Sequence, residues 1–153
     1  MTTAKVTVEQ VQAAYAALGS GDEAQIAKYW DEHMHWLVPG LHALAGWYKG
    51  RDAFLGFMKK CAELSDNSFV MEQITILTND EWSTDITHNR GRRSGAVEGE
   101  TTPYLTLDIH VVHLLRWKEG KVVEGRGAIF GDGTTRFNEF WSQLDSSGNR
   151  ISQ

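Results

Sequence analysis

The sequence predicts an α+β protein in which helices come first, a strongly bent antiparallel sheet follows, and one further helix closes the chain. Three observations predict it. Apolar residues recur at spacings of three and four as far as Leu64, the period falls to two from Ser68 onward, and Phe137, Phe140, Trp141 and Leu144 return to helical spacing near the C-terminus.

The first helix, Val6 to Leu18, aligns Val8, Val11, Tyr15 and Leu18 on one face, with Thr7 placed to cap it ahead of Glu9 and Gln10, and Gly19 to end it. Beyond Gly19-Ser20-Gly21, Asp22 caps a second short helix through Tyr29, and Ile26 and Trp30 continue the apolar stripe. HMHWLV, residues 33–38, is short, apolar and stopped by Pro39-Gly40, the pattern of a strand running into a loop. A third helix starts with Asp52 as its cap, carries Phe54, Leu55, Phe57, Met58, Cys61 and Leu64, and ends at Asn67. Four period-two segments follow: Phe69 to Thr78, Glu81 to His88, Tyr104 to Trp117, and the opening of KVVEGRGAIFGDG, residues 121–133. Between the second and third of these, Arg90 to Pro103 holds three Gly and three Arg and reads as a hairpin end with a solvated charge cluster. The closing helix, Thr135 to Leu144, precedes a polar tail. With no internal repeat or linker, residues 1–153 read as one domain with a core from about residue 6 to 144.

Composition narrows the function classes. A net charge of −5 over 153 residues offers no basic stripe for DNA or RNA, so no nucleic-acid partner is expected. The single cysteine, Cys61, sits at a helical apolar position and reads as a small core residue rather than a nucleophile. The N-terminus MTTAKVTVEQ has no apolar signal core and no run is long enough to span a bilayer, so a cytoplasmic location without membrane contact is the expectation.

Several short motifs carry a resemblance: Val11, Tyr15, Ala17, Leu18, Gly21 and Asp22 in V-x-x-x-Y-x-A-L-x-x-G-D, then V-P-G, L-A-G-x-Y-x-G-R-D-A and E-G-K-V-V-E. Together with the element order they make Val6 to Leu144 similar to the SnoaL-like, polyketide cyclase-like branch of the nuclear transport factor 2-like superfamily, which includes the ketosteroid isomerases. The resemblance implies a cone-shaped fold whose curved sheet packs on the N-terminal helices and encloses one deep pocket, usually in dimers. It also implies a range of chemistries, so function has to be argued from the site.

Strand alternation, combined with the resemblance, assigns the pocket-facing residues. Thr84, Ile86, His88 and Arg90 share the face of the second long strand that resembles the pocket side, and His113 faces in with Ile109, Val111, Leu115 and Trp117. His35 and Leu37 resemble pocket-lining positions on the HMHWLV strand, and Trp36 joins the apolar wall. Three histidines, His35, His88 and His113, are therefore expected to line one cavity. An imidazole between apolar walls can accept or donate a proton near neutrality, although a buried histidine satisfied by a backbone carbonyl would look the same in sequence. Tyr15 is similar in placement to the isomerases' oxyanion tyrosine and is equally an ordinary packing residue. No metal or other cofactor is expected, since no tight ligand spacing appears.

The departures from the family pattern concern acids. Trp36-Leu37-Val38-Pro39 lacks the aspartate that precedes the corresponding proline in the isomerases, and Gly127 stands where cyclases and epoxide hydrolases carry an acid. Asp85, Asp108 and Asp132 remain as fallback acids. On the last strand Gly125, Gly127 and Ile129 face the pocket, and the glycines either widen it or mark bulges that bend the sheet. The expected function is proton transfer on a small apolar polyketide- or terpenoid-like substrate by a cyclase, isomerase or dehydratase, with His113 as base or acid, Tyr15 and His88 polarising an oxygen, and His35 assisting. An epoxide hydrolase and a non-catalytic ligand-binding or dimerising domain are the alternatives. Val112, Leu114, Ala128 and Phe130 make the outer sheet face apolar enough for a homodimer.

Overall fold

A computed structural model describes residues 5–97, 99 and 101–142. It contains four helices and a curved, unclosed six-stranded sheet, in the order α1 (Val8–Ser20), α2 (Glu23–Tyr29), β1 (Trp30–Val38), β2 (Gly46–Lys49), α3 (Arg51–Leu64), β3 (Val70–Thr78), β4 (Trp82–Arg92), β5 (Thr106–Lys118), β6 (Lys121–Ile129) and α4 (Gly133–Phe140). Leu144 and the polar tail lie outside the described residues.

Local chemistry explains most boundaries. Thr7 caps α1 through a reciprocal pair, its hydroxyl accepting from the Gln10 amide at 3.1 Å while Oε1 of Gln10 accepts from the Thr7 amide at 2.9 Å. Gly21, at φ +68°, ends the helix in the left-handed conformation that glycine adopts without strain. Asp22 caps α2 by accepting from the Ala24 and Gln25 amides. Several boundaries differ from expectation: α1 runs on to Ser20, β1 begins at Trp30 and α4 begins at Gly133. Helix α3 begins at Arg51, with Gly50 at the cap position and Asp52 already in the first turn. It ends at Leu64, because Asp66 and Asn67 both take positive φ and break the helix before the expected stop. β2 was not anticipated: GWYK is only four residues long, but its Trp and Tyr suit a strand, and it pairs antiparallel with β1.

The sheet order is β2-β1-β6-β5-β4-β3. Neighbours run antiparallel except β1 and β6, which run parallel and bring Trp36 beside Gly125. The core lies between the concave face and the helices, centred on Trp30, Met34, Trp36, Phe54, Leu115, Val122, Phe137, Phe140 and Trp141. The rings of Trp30, Phe54 and Trp36 pack in succession, with centroids 5.4 and 4.7 Å apart.

The hairpin end after β4 differs from the solvated charge cluster expected there. Arg93 is buried, and its Nη1 donates to the carbonyl oxygens of Phe140, at 2.9 Å, and Ser142. Carbonyls at a helix C-terminus lack helical partners, and an arginine fork satisfies two of them. The loop is thereby tied to α4.

Candidate active site

A cavity of about 270 Å³ opens between the concave face of the sheet and helices α1, α3 and α4. Its walls are mostly apolar, including Trp36, Phe54, Phe57, Val111, Ile129 and Phe137. Polar groups reach it at few points, chiefly Tyr15, His113 and Asn89.

The centre of the site is a register effect. Asp85 on β4 and His113 on β5 are directly opposed, so both side chains emerge on the concave face as neighbours. His113 Nδ1 lies 3.0 Å from Asp85 Oδ2, and the Tyr15 hydroxyl donates to Asp85 Oδ1 at 2.8 Å. Asp85 is fully buried and His113 is 4% exposed. Both carboxylate oxygens are thus engaged, which is what a buried charge requires. With Nδ1–H donated to the carboxylate, the imidazole presents Nε2 as an acceptor, and no described residue bonds to it. His113 borders the cavity. Across β6 its strand partner is Gly127, which also borders the cavity and where a Cβ would stand 3.0 Å from the Pro39 ring. Burial, followed by the charge and hydrogen bond of Asp85, holds the Tyr15 phenol well above its ordinary range, so it remains a neutral donor.

Of the residues predicted from sequence, Tyr15, Trp36, His113, Gly127 and Ile129 line the cavity. The parity assigned to β4 is corrected. Ser83, Asp85, Thr87 and Asn89 are buried on the concave face, whereas Ile86, His88 and Arg90 point to the outer face. β4 has no continuous apolar face to fix its parity, so the family resemblance decided it. Arg90 inside would have been an unpaired buried charge, and outside it bonds Glu72 at 2.8 Å. His88 contacts Asp108 at 2.6 Å and stacks on His110, centroids 4.7 Å apart.

His35 and Leu37 are corrected in the same way. β1 turns Trp30, Met34, Trp36 and Val38 inward, and the bulk of that set leaves His35 exposed on the other face with Leu37. The three imidazoles therefore do not converge. Leu115, Trp117 and Gly125 are on the concave face as expected but belong to the packed core instead of the cavity wall. Trp117 donates its indole N–H to Ser83 at 2.8 Å. A Cβ on Gly125 would sit 2.3 Å from the Trp36 ring, so this glycine makes room for an indole rather than for a ligand. The sheet's register shifts fall elsewhere, at Trp30/His35, Gln73/Thr75 and Arg116/Trp117. Of the fallback acids, Asp108 and Asp132 are exposed and Asp85 is the inward one. Cys61 borders the cavity, and burial pushes its thiol up to about 12, which keeps it protonated.

Two residues were missed. Asn89 passed unnoticed because the wrong parity of β4 turned it outward. His42 sits in the loop after Pro39, where nothing in the sequence pattern marks it. Its Nε2 lies 2.9 Å from the Pro39 carbonyl, its Nδ1 accepts from the Leu44 amide at 3.1 Å, and its ring meets Phe137 edge-on. Burial lowers its basicity, and the Leu44 amide leaves no room for a second ring proton. His42 therefore fixes the cavity rim as a neutral ring.

Among the described residues no helix is long and apolar enough to cross a membrane. Residues 11–125 match the model of the SnoaL-like domain family. An uncharacterized protein of Mycobacterium tuberculosis is 25% identical over 139 residues, covering 88% of each chain. Among solved structures, Bal32a from a soil-derived mobile gene cassette is similar at 27% identity and a TM-score of 0.74, covering 87% of this chain and 94% of its own. A Xanthomonas campestris protein of unknown function with a cystatin-like fold is similar at 23% identity and a TM-score of 0.72, covering 92% and 98%.

Proposed function

The chain belongs to the SnoaL-like domain family, and on that premise we propose that it catalyses proton transfer on a small apolar carbonyl compound of polyketide or terpenoid type, as an isomerase, cyclase or dehydratase. One observation carries the reading: a buried Tyr15–Asp85–His113 chain ends in a histidine nitrogen that no described residue occupies, at the wall of an apolar cavity.

In this reading His113 is the acid–base group. Nε2 takes a proton from a carbon beside the substrate carbonyl, and the imidazolium that forms is stabilised by Asp85 through Nδ1–H. The same nitrogen then returns the proton to another carbon, or to a departing hydroxyl. Tyr15 is a positioning residue here, because its hydroxyl is spent on Asp85 and not aimed at a substrate oxygen. The missing family acids are thus replaced by a carboxylate one layer behind the histidine.

The test is hydrogen–deuterium exchange at the carbon positions beside the carbonyl of 2-tetralone in D2O, followed by mass spectrometry. Wild-type protein accelerates exchange above the buffer rate, and His113→Ala with an unchanged circular dichroism spectrum does not. Equal exchange in both proteins sinks the reading. A second reading, water addition to an epoxide, draws support from the inward Asp85, with His113 deprotonating the water. Diol formation from styrene oxide without ketone exchange would favour it. A bound ligand released unchanged, with neither reaction seen, would favour the non-catalytic binding protein.

The proposal includes a homodimer through the outer sheet face. Val70, Leu77, Leu114 and Phe130 are exposed on or beside that face, interspersed with the charged groups of Glu72, Arg90 and Asp108. Sedimentation velocity should give a dimer for wild type and a monomer for Leu114→Glu; a monomeric wild type removes this part.

A further inference from the structure

We infer that Asn89 is a second anchor of the cavity, a hydrogen-bond donor that selects substrates carrying a carbonyl or other acceptor oxygen at the end remote from the reacting carbon. The inference rests on the acid–base reading of His113 only for what happens at the other end.

Asn89 is 3% exposed and borders the cavity. Its Oδ1 accepts from the Thr87 hydroxyl at 2.6 Å, a length typical of O–H···O and short for N–H···O, which settles the orientation of the amide. Its Nδ2 has no partner among the described residues and is not among their sealed, unpaired atoms. The donor opens onto the cavity, where an acceptor oxygen of a ligand can take its hydrogen bond. Thr87 has no other side-chain bond among the described residues, so its role on the concave face is to hold that amide.

The position defines the ligand. Asp85 pairs with His113 and Asn89 pairs with Ile109 in the same antiparallel ladder, so the two polar points are four residues apart along the strands. That spacing is about 13 Å between backbones. The wall between them is apolar, with Val111 on the intervening stretch of β5 and Ile129 beside it on β6. At about 270 Å³ the cavity fits two fused rings with a short substituent better than a tetracyclic skeleton. The substrate class is therefore an elongated bicyclic ketone with oxygen at both ends.

The probes are 6-acetyl-2-tetralone and 6-isopropyl-2-tetralone, which differ by a carbonyl oxygen in place of a methyl group. Binding is read by tryptophan fluorescence quenching, and reaction by deuterium exchange at the ring ketone. Wild type binds the acetyl probe ~10-fold more tightly, the scale of one buried hydrogen bond. In Asn89→Leu with an unchanged circular dichroism spectrum the ratio falls to about one, through weaker binding of the acetyl probe. Equal affinities in wild type overturn the inference without any variant, and so does a ratio that survives in Asn89→Leu. Discrimination without exchange leaves Asn89 as the anchor and removes the acid–base reading of His113.

Discussion

Strands β4 and β5 carry one histidine–carboxylate pair on each face of the same ladder. On the concave side His113 and Asp85 stand 3.0 Å apart with side chains 5% and 0% exposed; on the outer side His88 and Asp108 stand 2.6 Å apart with side chains 25% and 72% exposed. The outer contact is the shorter, and the physics gives it less to do. Exposed ion pairs contribute roughly 0–1 kcal/mol because water screens them and two side chains must be held still. The inner pair has a third member, Tyr15, and an apolar cavity in front of it. Distance does not separate the two pairs in what each can do chemically. Burial, the partner behind and the empty space in front do.

Five substitutions test that contrast. The largest expected effect belongs to the inner pair. Asp85→Asn keeps an oxygen for the Tyr15 hydroxyl but turns an amide N–H toward His113 Nδ1, so the imidazole flips tautomer and presents Nε2–H to the cavity. Exchange of 2-tetralone should fall about 10²- to 10⁴-fold, as it should for His113→Ala, with the fold kept. An active Asp85→Asn enzyme would falsify the inner pair as the acid–base unit.

Gly125→Ala comes next, and it attacks the packing behind the site. The added methyl would meet the Trp36 ring, and overpacking of this kind costs about 1–3 kcal/mol in urea or thermal unfolding. A neutral result would mean that the indole can move away without penalty.

Tyr15→Phe should cost about 1–2 kcal/mol, since it leaves Asp85 Oδ1 without its donor. It also carries a pH signature. The Tyr15 phenol ionises less readily folded than unfolded, so above about pH 10 the unfolded state loses the proton first. Stability is present in full below that pH and declines as pH rises beyond it. Chemical denaturation from pH 8 to 11 should show a shallower alkaline decline in Tyr15→Phe than in wild type, and parallel curves would remove the assignment.

The smallest effect belongs to the outer pair. His88→Ala should change stability by no more than about 0.5 kcal/mol and leave exchange intact. A loss of activity there would reverse the contrast between the faces.

The difference between the faces also explains what could be read from sequence. His113 was legible because its face of β5 is otherwise apolar, so alternation had one answer. Gly127 was legible as the residue opposite it, and strands β3 to β6 followed from the change of period at Ser68, although β2 lies before it and went unread. β4 was not legible, because S-T-D-I-T-H-N-R alternates polar with polar, and a one-residue choice of parity exchanges its whole set of side chains. That error hid Asp85 and Asn89 and promoted His88 and Arg90. His35 was misplaced for a different reason: the family resemblance outweighed Trp36 and Met34, whose bulk decides which way β1 faces. Gly125 was read as widening the pocket, whereas the parallel pairing of β1 with β6 fills that room with the Trp36 indole.

That pairing has a consequence for how the molecule is made. Trp36 and Gly125 are partners in the ladder, 125 − 36 = 89 residues apart in the chain. Contacts over such separations require closing a long loop before any of their stabilisation is gained, and proteins rich in them fold slowly. On the ribosome, the edge of β1 that faces away from β2 must wait for its hydrogen-bonding partner until β6 has emerged. The cavity wall that Trp36 and His113 share, rings 5.5 Å apart, is therefore assembled only after β6 is in place.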